Sequence, residues 1–339
     1  MSKINRREFG HAGLAGLAGL AVAPRERAQT PGSTPAATGR AYRYVHLDVF
    51  TDKRLQGNQL FVFVQPAGLD VDTMQTFTRE SNLSECTFVF PPEAAGTDHR
   101  VRIFTRTAET PFAGHPTIGT AFALAHSGVL KPGLGHTTFG LGVGPTNVDL
   151  EWKDGHLAFA WMTQLKPTFG KTIADTGGLA AAIGLDASGV DRRVPAQEVN
   201  CGSNFMIVPL ASRKAVDAAV LDRAKVDAVF AAAGIPRRGI YAFSTERGQD
   251  TATAYSRMVA APGGAEDPGT GSAAGPAGCF MAQYGFVPRE RASAIEILQG
   301  VLVRRPSRIH VNVTMSGADV TGVKVGGASV VVGEGSMSV

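Results

Sequence analysis

Two short segments constrain this chain more than anything else in it: Gly114-His115-Pro116-Thr117-Ile118-Gly119-Thr120-Ala121 and Asp267-Pro268-Gly269-Thr270-Gly271-Ser272-Ala273. Laid over each other, HPTIGTA and DPGTGSA share Pro, Gly and Ala in register, with Thr120 against Ser272. Proline suits the first helical position, where its missing N–H would have had no partner. The pattern therefore predicts two helices of small and apolar residues, with His115 and Asp267 as N-caps. The order around them also repeats. Gly57-Asn58 turns into the apolar run Leu60 to Val64, and Gly202-Ser203 leads into Phe205 to Val208. Both halves then continue through further strands to the special helix start, and an internal duplication is the natural reading.

The strand pattern fixes the class. Val45, Leu47 and Val49 alternate with His46 and Asp48, which reads as a half-buried strand. Asp70 and Asp72 can cap a helix carrying Met74 and Phe77 and ending near Ser81. Strands are predicted at Cys86 to Phe90, Val101 to Thr105, Ile240 to Phe243, Ala254 to Val259 and Ile309 to Val313. One long helix is predicted from about Arg213 to Ala233, and a closing hairpin across Gly326-Gly327 into Val330 to Val332. Many short strands around two buried helices give an α+β architecture of two similar lobes, each a barrel-like, mostly antiparallel sheet around a central helix. The lobes are drawn at 42–165 and 166–339, with the last strands able to return to the N-terminal lobe.

The first forty residues read differently. Asn5-Arg6-Arg7-Glu8-Phe9 precedes twelve uncharged residues, Ala12 to Ala23, too short to span a bilayer as a helix. A charged start, a short apolar stretch and paired arginines form the layout of a twin-arginine signal over 1–29, with a linker at 30–41. Export to the periplasm or beyond is the expectation, and cytoplasmic residence follows if the signal does not function. A net charge of +4, with Lys and Arg scattered along the chain, argues against nucleic acid as a partner. Cys86, Cys201 and Cys279 are widely spaced and form no CxxC or Cys/His cluster, so no metal site is expected. Buried free thiols are the expected state.

The helix starts also carry the chemistry. Free N–H groups of Thr117, Gly119, Gly271 and Ser272 would favour an anion, such as a substrate carboxylate, at two helix ends facing one cleft. Glu85 closes Asn82-Leu83-Ser84-Glu85 just ahead of a strand, and the corresponding stretch of the second half, around Arg237 and Arg238, carries no acid. One lobe alone would then supply a carboxylate base.

RIFTxxxETPFAGHPTIGTA (Arg102 to Ala121), ESNLSE (Glu80 to Glu85), EDPGTGSAAG (Glu266 to Gly275) and RRPSRIHV (Arg304 to Val311) resemble the signature segments of the PhzF-like phenazine-biosynthesis family. The likeness runs from about Tyr42 to the end. It implies a diaminopimelate-epimerase type of fold, a commonly homodimeric state, and an isomerase needing neither metal nor organic cofactor. By the same resemblance Glu85 takes a proton from carbon and returns it elsewhere, His115 and Asp267 join it, and Ser272 with backbone near Gly114 and Gly271 holds the substrate. Gly57-Asn58-Gln59 departs from the family's Gly-Asn-Pro, and an export signal argues against a phenazine intermediate as substrate.

Three other classes compete with this reading. A two-thiol epimerase needs a cysteine at each paired helix start, where this chain has His115 and Asp267. A dinucleotide fingerprint needs a strand running into its first glycine, and the polar stretch Gly263 to Asp267 stands in the way. An exported small-acid binding protein of the same fold without turnover is the non-enzyme alternative.

Overall fold

Alternating apolar residues, punctuated by glycine turns, become strands at almost every point where the sequence shows them. The computed structural model describes residues 39–260 and 264–339, so the expected signal segment and most of the linker lie outside the described residues. The first run of elements is β1 (Ala41–Val49), β2 (Asn58–Val64), α1 (Val71–Ser81), β3 (Glu85–Phe90), β4 (His99–Thr105), β5 (Glu109–Thr110), α2 (Gly114–His126), β6 (His136–Leu141), β7 (Gly144–Lys153) and β8 (His156–Thr163). The second is β9 (Thr168–Ile173), α3 (Thr176–Ala182), β10 (Ala196–Asn200), β11 (Asn204–Pro209), α4 (Arg213–Ala218), α5 (Arg223–Ala232), β12 (Gly239–Ser244), β13 (Ala254–Met258), α6 (Gly271–Gln283), β14 (Ile295–Gln299), β15 (Ser307–Ser316), β16 (Asp319–Gly327) and β17 (Ser329–Ser338).

Strand pairing shows one plan used twice. The first half runs β17-β1-β2-β3-β4-β6-β7-β8, parallel only at β2/β3 and β4/β6. The second runs β9-β10-β11-β12-β13-β14-β15-β16, parallel only at the matching β11/β12 and β13/β14. Parallel neighbours need a crossover. Here α1 and α2 cross in the first half, α4 with α5 and then α6 in the second. The β8–β16 pairing joins both runs into one mixed sheet.

The sheet curls around the two helices it must cover. Residues 114–124 of α2 and 273–282 of α6 are buried, and both helices contribute to one hydrophobic core. Small residues permit this enclosure. A Cβ on Gly119 would stand 2.5 Å from Leu60 Cδ2, and one on Gly278 would stand 2.6 Å from Val311 Cγ1.

Two local expectations are corrected. The stretch from Arg213 to Ala233 is two helices, because Asp222 caps a second start by accepting from the N–H groups of Ala224 and Lys225. Gly326-Gly327 makes no hairpin: β17 pairs with β1, and the hairpin of this region turns at Gly317 between β15 and β16. Gly327 instead clears room for the Phe50 ring, whose Cδ1 would lie 2.6 Å from a Cβ placed there. Strands β6 to β10, between His136 and Asn200, add to those expected, and in β7 Val148, Leu150 and Trp152 alternate with Asp149, Glu151 and Lys153.

Candidate active site

The two special helix starts meet backbone to backbone. A Cβ on Gly114 would lie 2.4 Å from both Gly271 C and Ser272 N, so only glycine allows this approach. The N-caps are Ala113 and Thr270, not His115 and Asp267. Proline lacks an N–H and is tolerated throughout the first turn, so Pro116 stands third in α2, while Pro268 precedes α6 altogether. Topologically Gly114 matches Gly271 and His115 matches Ser272, a different register from the one the motif alignment suggests. The N–H groups without intrahelical partners therefore belong to Gly114, His115, Gly271 and Ser272. Those of Thr117 and Gly119, expected to be free, lie inside α2.

Around this junction opens a cavity of about 550 Å³ lined by Glu85, Gly114, His115, Asp267, Gly271 and Ser272, with Asn58 and Thr270 among the further polar walls and Phe205 and Met258 among the apolar ones. Every expected site residue is thus brought together. Asn58, at the start of β2, ties the set: its Nδ2 faces Asp267 Oδ1 at 2.6 Å, the Gly269 carbonyl at 3.0 Å and His115 Nδ1 at 3.0 Å. Oxygen acceptors on two sides fix which amide atom is nitrogen, and in this arrangement His115 Nδ1 accepts. The ring proton then sits on Nε2. That atom faces Glu85 Oε2 at 3.7 Å, too long for a direct hydrogen bond. Both atoms are buried and without partners.

Environment sets the protonation. Burial, then the negative charge of Asp267, pushes the Glu85 carboxyl up to about 8, against the opposing pull of the Ser84 hydroxyl and Arg106. Burial lowers His115 to about 4, although the Asp267 charge and a backbone contact to Gln59 favour its charged form. At neutral pH the cleft therefore holds a neutral imidazole beside a carboxyl close to its titration point.

Buried polar links hold the loop that carries Asp267. Thr270 Oγ1 donates to Asp267 Oδ2 at 2.6 Å, and Gln299 Nε2 donates to the Asp267 carbonyl at 2.8 Å. Gln299 Oε1 accepts from Thr270 N and from Tyr241, both at 3.0 Å. Next to Asp267, Glu266 takes a bidentate contact from the buried Arg257, whose Nη1 also donates to the carbonyls of Val216, Asp217 and Ala219 at the C-terminal end of α4. On the opposite wall Arg305 binds Asp48 and the carbonyls of Gln56 and Gly57, fixing the turn into Asn58.

Asn58, Thr270 and Gln299 escaped sequence reading as site residues. Asn58 carried a signal, a polar residue at the start of an apolar strand, but the preceding Gly57 disguised it as turn chemistry. The cysteines stand apart: Cys86, Cys201 and Cys279 are free and buried, and none lines the cavity. Among the described residues, 264–270 form no strand ahead of α6, so no strand runs into the glycines of a dinucleotide fingerprint.

A half-open cleft lined by titratable groups where two helix starts abut is the site of an enzyme, and the relatives this chain resembles place it in the isomerase class. Residues 47–335 match the phenazine biosynthesis-like proteins, and the chain belongs to that family. It is 36% identical to the trans-2,3-dihydro-3-hydroxyanthranilate isomerase of Pseudomonas aeruginosa over 87% of this chain and 98% of that one. An uncharacterized isomerase of Mesorhizobium japonicum is 34% identical, covering 87% of this chain and 98% of its own. Among solved structures, a Bacillus anthracis phenazine biosynthesis protein of the PhzF family superposes with a TM-score of 0.77 at 25% identity, over 88% of this chain and all of the other. A predicted epimerase of Pseudomonas aeruginosa gives 0.73 at 30% identity, over 87% and 99%.

Proposed function

We propose that this cleft moves a proton between carbons of a small carboxylate-bearing, unsaturated substrate, with Glu85 as the acid/base and no cofactor taking part. The observation that carries the reading is the pair of buried, unpartnered atoms, Glu85 Oε2 and His115 Nε2, facing each other across 3.7 Å in the cavity. Glu85 takes a proton from a carbon next to the conjugated system, and the electron pair left behind spreads into it. The first-turn N–H groups of α2 and α6 stabilise the negative charge that develops. Glu85, held near neutrality, then returns the proton to a second carbon. His115 Nε2–H and Asp267 polarise the substrate's hydroxyl or amine, with Asn58 between them fixing both. The relatives' cyclic dihydro-acid is the first compound to try.

The test is deuterium uptake from D₂O into that acid and other small unsaturated acids, followed by NMR. Uptake with the native chain, reduced about 10²–10⁴-fold in Glu85→Gln, is the expected result. Exchange that survives Glu85→Gln removes Glu85 from its role, and binding of an acid with no exchange supports a binding protein instead. A homodimer and twin-arginine export complete the reading; a solution mass of about twice 35.4 kDa checks the first.

A further inference from the structure

We infer that the substrate carries a second anionic group, which Arg106 receives at the rim of the cleft. Resting on the isomerase reading above, this deepens it by naming a dianionic substrate, charged at both ends. Arg106 lines the cavity at the turn after β4, and its positive charge reaches Glu85. The link is geometric as well: Glu85 is the Cα partner of Thr105, the residue before Arg106.

What distinguishes Arg106 is its lack of a carboxylate. Along the same strand Arg100 pairs with Glu93 and Arg102 pairs with Glu109. The other arginine of the cavity, Arg305, is consumed by Asp48 and two carbonyls. Among the described residues Arg106 meets only an amide oxygen, Asn82 Oδ1 at 3.3 Å, and no carboxylate lies within ion-pair distance of it. Its neighbours on this rim, Asn82, Ser84, Thr105 and Thr107, add no acid.

The cleft is therefore divided in charge. Its interior holds Glu85 and Asp267, and the abutting helix starts offer N–H groups to one carboxylate. The rim presents a guanidinium with a planar fork of donors matched to a second carboxylate or a phosphate. A substrate charged at one end only would leave that group idle.

Glutaconic acid, an unsaturated diacid with an exchangeable methylene, and its monoamide discriminate the possibilities. Deuterium uptake gives kcat/KM for each, and calorimetric titration gives the affinity of each, with the native chain, Arg106→Gln and Arg106→Lys. The native chain is expected to prefer the diacid by about tenfold or more. Arg106→Gln should reduce that ratio to near one through KM, and Arg106→Lys should restore part of it. A ratio near one in the native chain, or an equal ratio in Arg106→Gln, overturns the assignment. If neither probe exchanges but calorimetry shows a diacid preference that Arg106→Gln removes, the anion subsite stands and the isomerase reading falls.

Discussion

Replacing Gly114 by alanine probes the junction on which the whole site rests. The added methyl would stand 2.4 Å from Gly271 C and Ser272 N and 2.5 Å from Gly271 Cα, where ordinary contact begins at 3.4 Å. All three atoms are backbone in the first turn of a buried helix, so no side chain can swing aside. The starts of α2 and α6 must part by about 1 Å, a displacement that can cost about a hundredfold in rate when it misplaces reacting groups. Overpacking of this kind costs about 1–3 kcal/mol, which in a chain of this size lowers Tm by about 2–5 °C. Differential scanning calorimetry reads the second quantity and deuterium uptake the first. Gly119→Ala should do less harm, because its methyl meets side-chain atoms, Leu60 Cδ2 at 2.5 Å and Val49 Cγ2 at 2.8 Å, and no backbone. Gly135→Ala, with nothing within 4 Å, serves as the control and should leave Tm unchanged. A Gly114→Ala protein with native Tm and native exchange would refute the claim that these helix starts need their close approach.

Because the folded Glu85 titrates near 8 against an ordinary 4.5, its contribution to stability is full below about 4.5 and lost as pH rises through about 8. Glu85→Gln should flatten Tm over that window, and carbon NMR of the carboxyl should show Asp267→Asn moving the titration to lower pH, since the Asp267 charge helps to raise it. Glu266→Ala strands the buried Arg257 charge and should cost about 3–5 kcal/mol in urea unfolding, with Glu266→Gln milder. Residues Met1 to Gln29 fused to a reporter should direct export, and Arg6→Lys with Arg7→Lys should abolish it; retention of both fusions would remove the signal.

The sequence announced the class, the duplication and the residues around the cleft, because each had a local signature: alternation, a turn glycine, or a proline beside a small-residue helix. It misplaced the caps because proline excludes a hydrogen bond without naming its own position in the first turn. The break between α4 and α5 was invisible because Ala219 suits a helix as well as a loop, and Asp222 acts as a cap only once a second start exists. Asn58, Gln299 and Arg257 lie far apart in the chain and matter only through tertiary hydrogen bonds, which no periodicity encodes.

The pairing of β17 with β1 matches Ala41 to Ser338, almost end to end. As the chain leaves the ribosome, the first half therefore emerges without one of its own edge strands. It stays unfinished through the synthesis of the whole second half. The two repeats cannot mature one after the other like beads on a string. A chain cut short before β17 leaves β1 an open, unpaired edge, a template for joining other chains, so truncation at the C-terminus endangers the first half as much as the last.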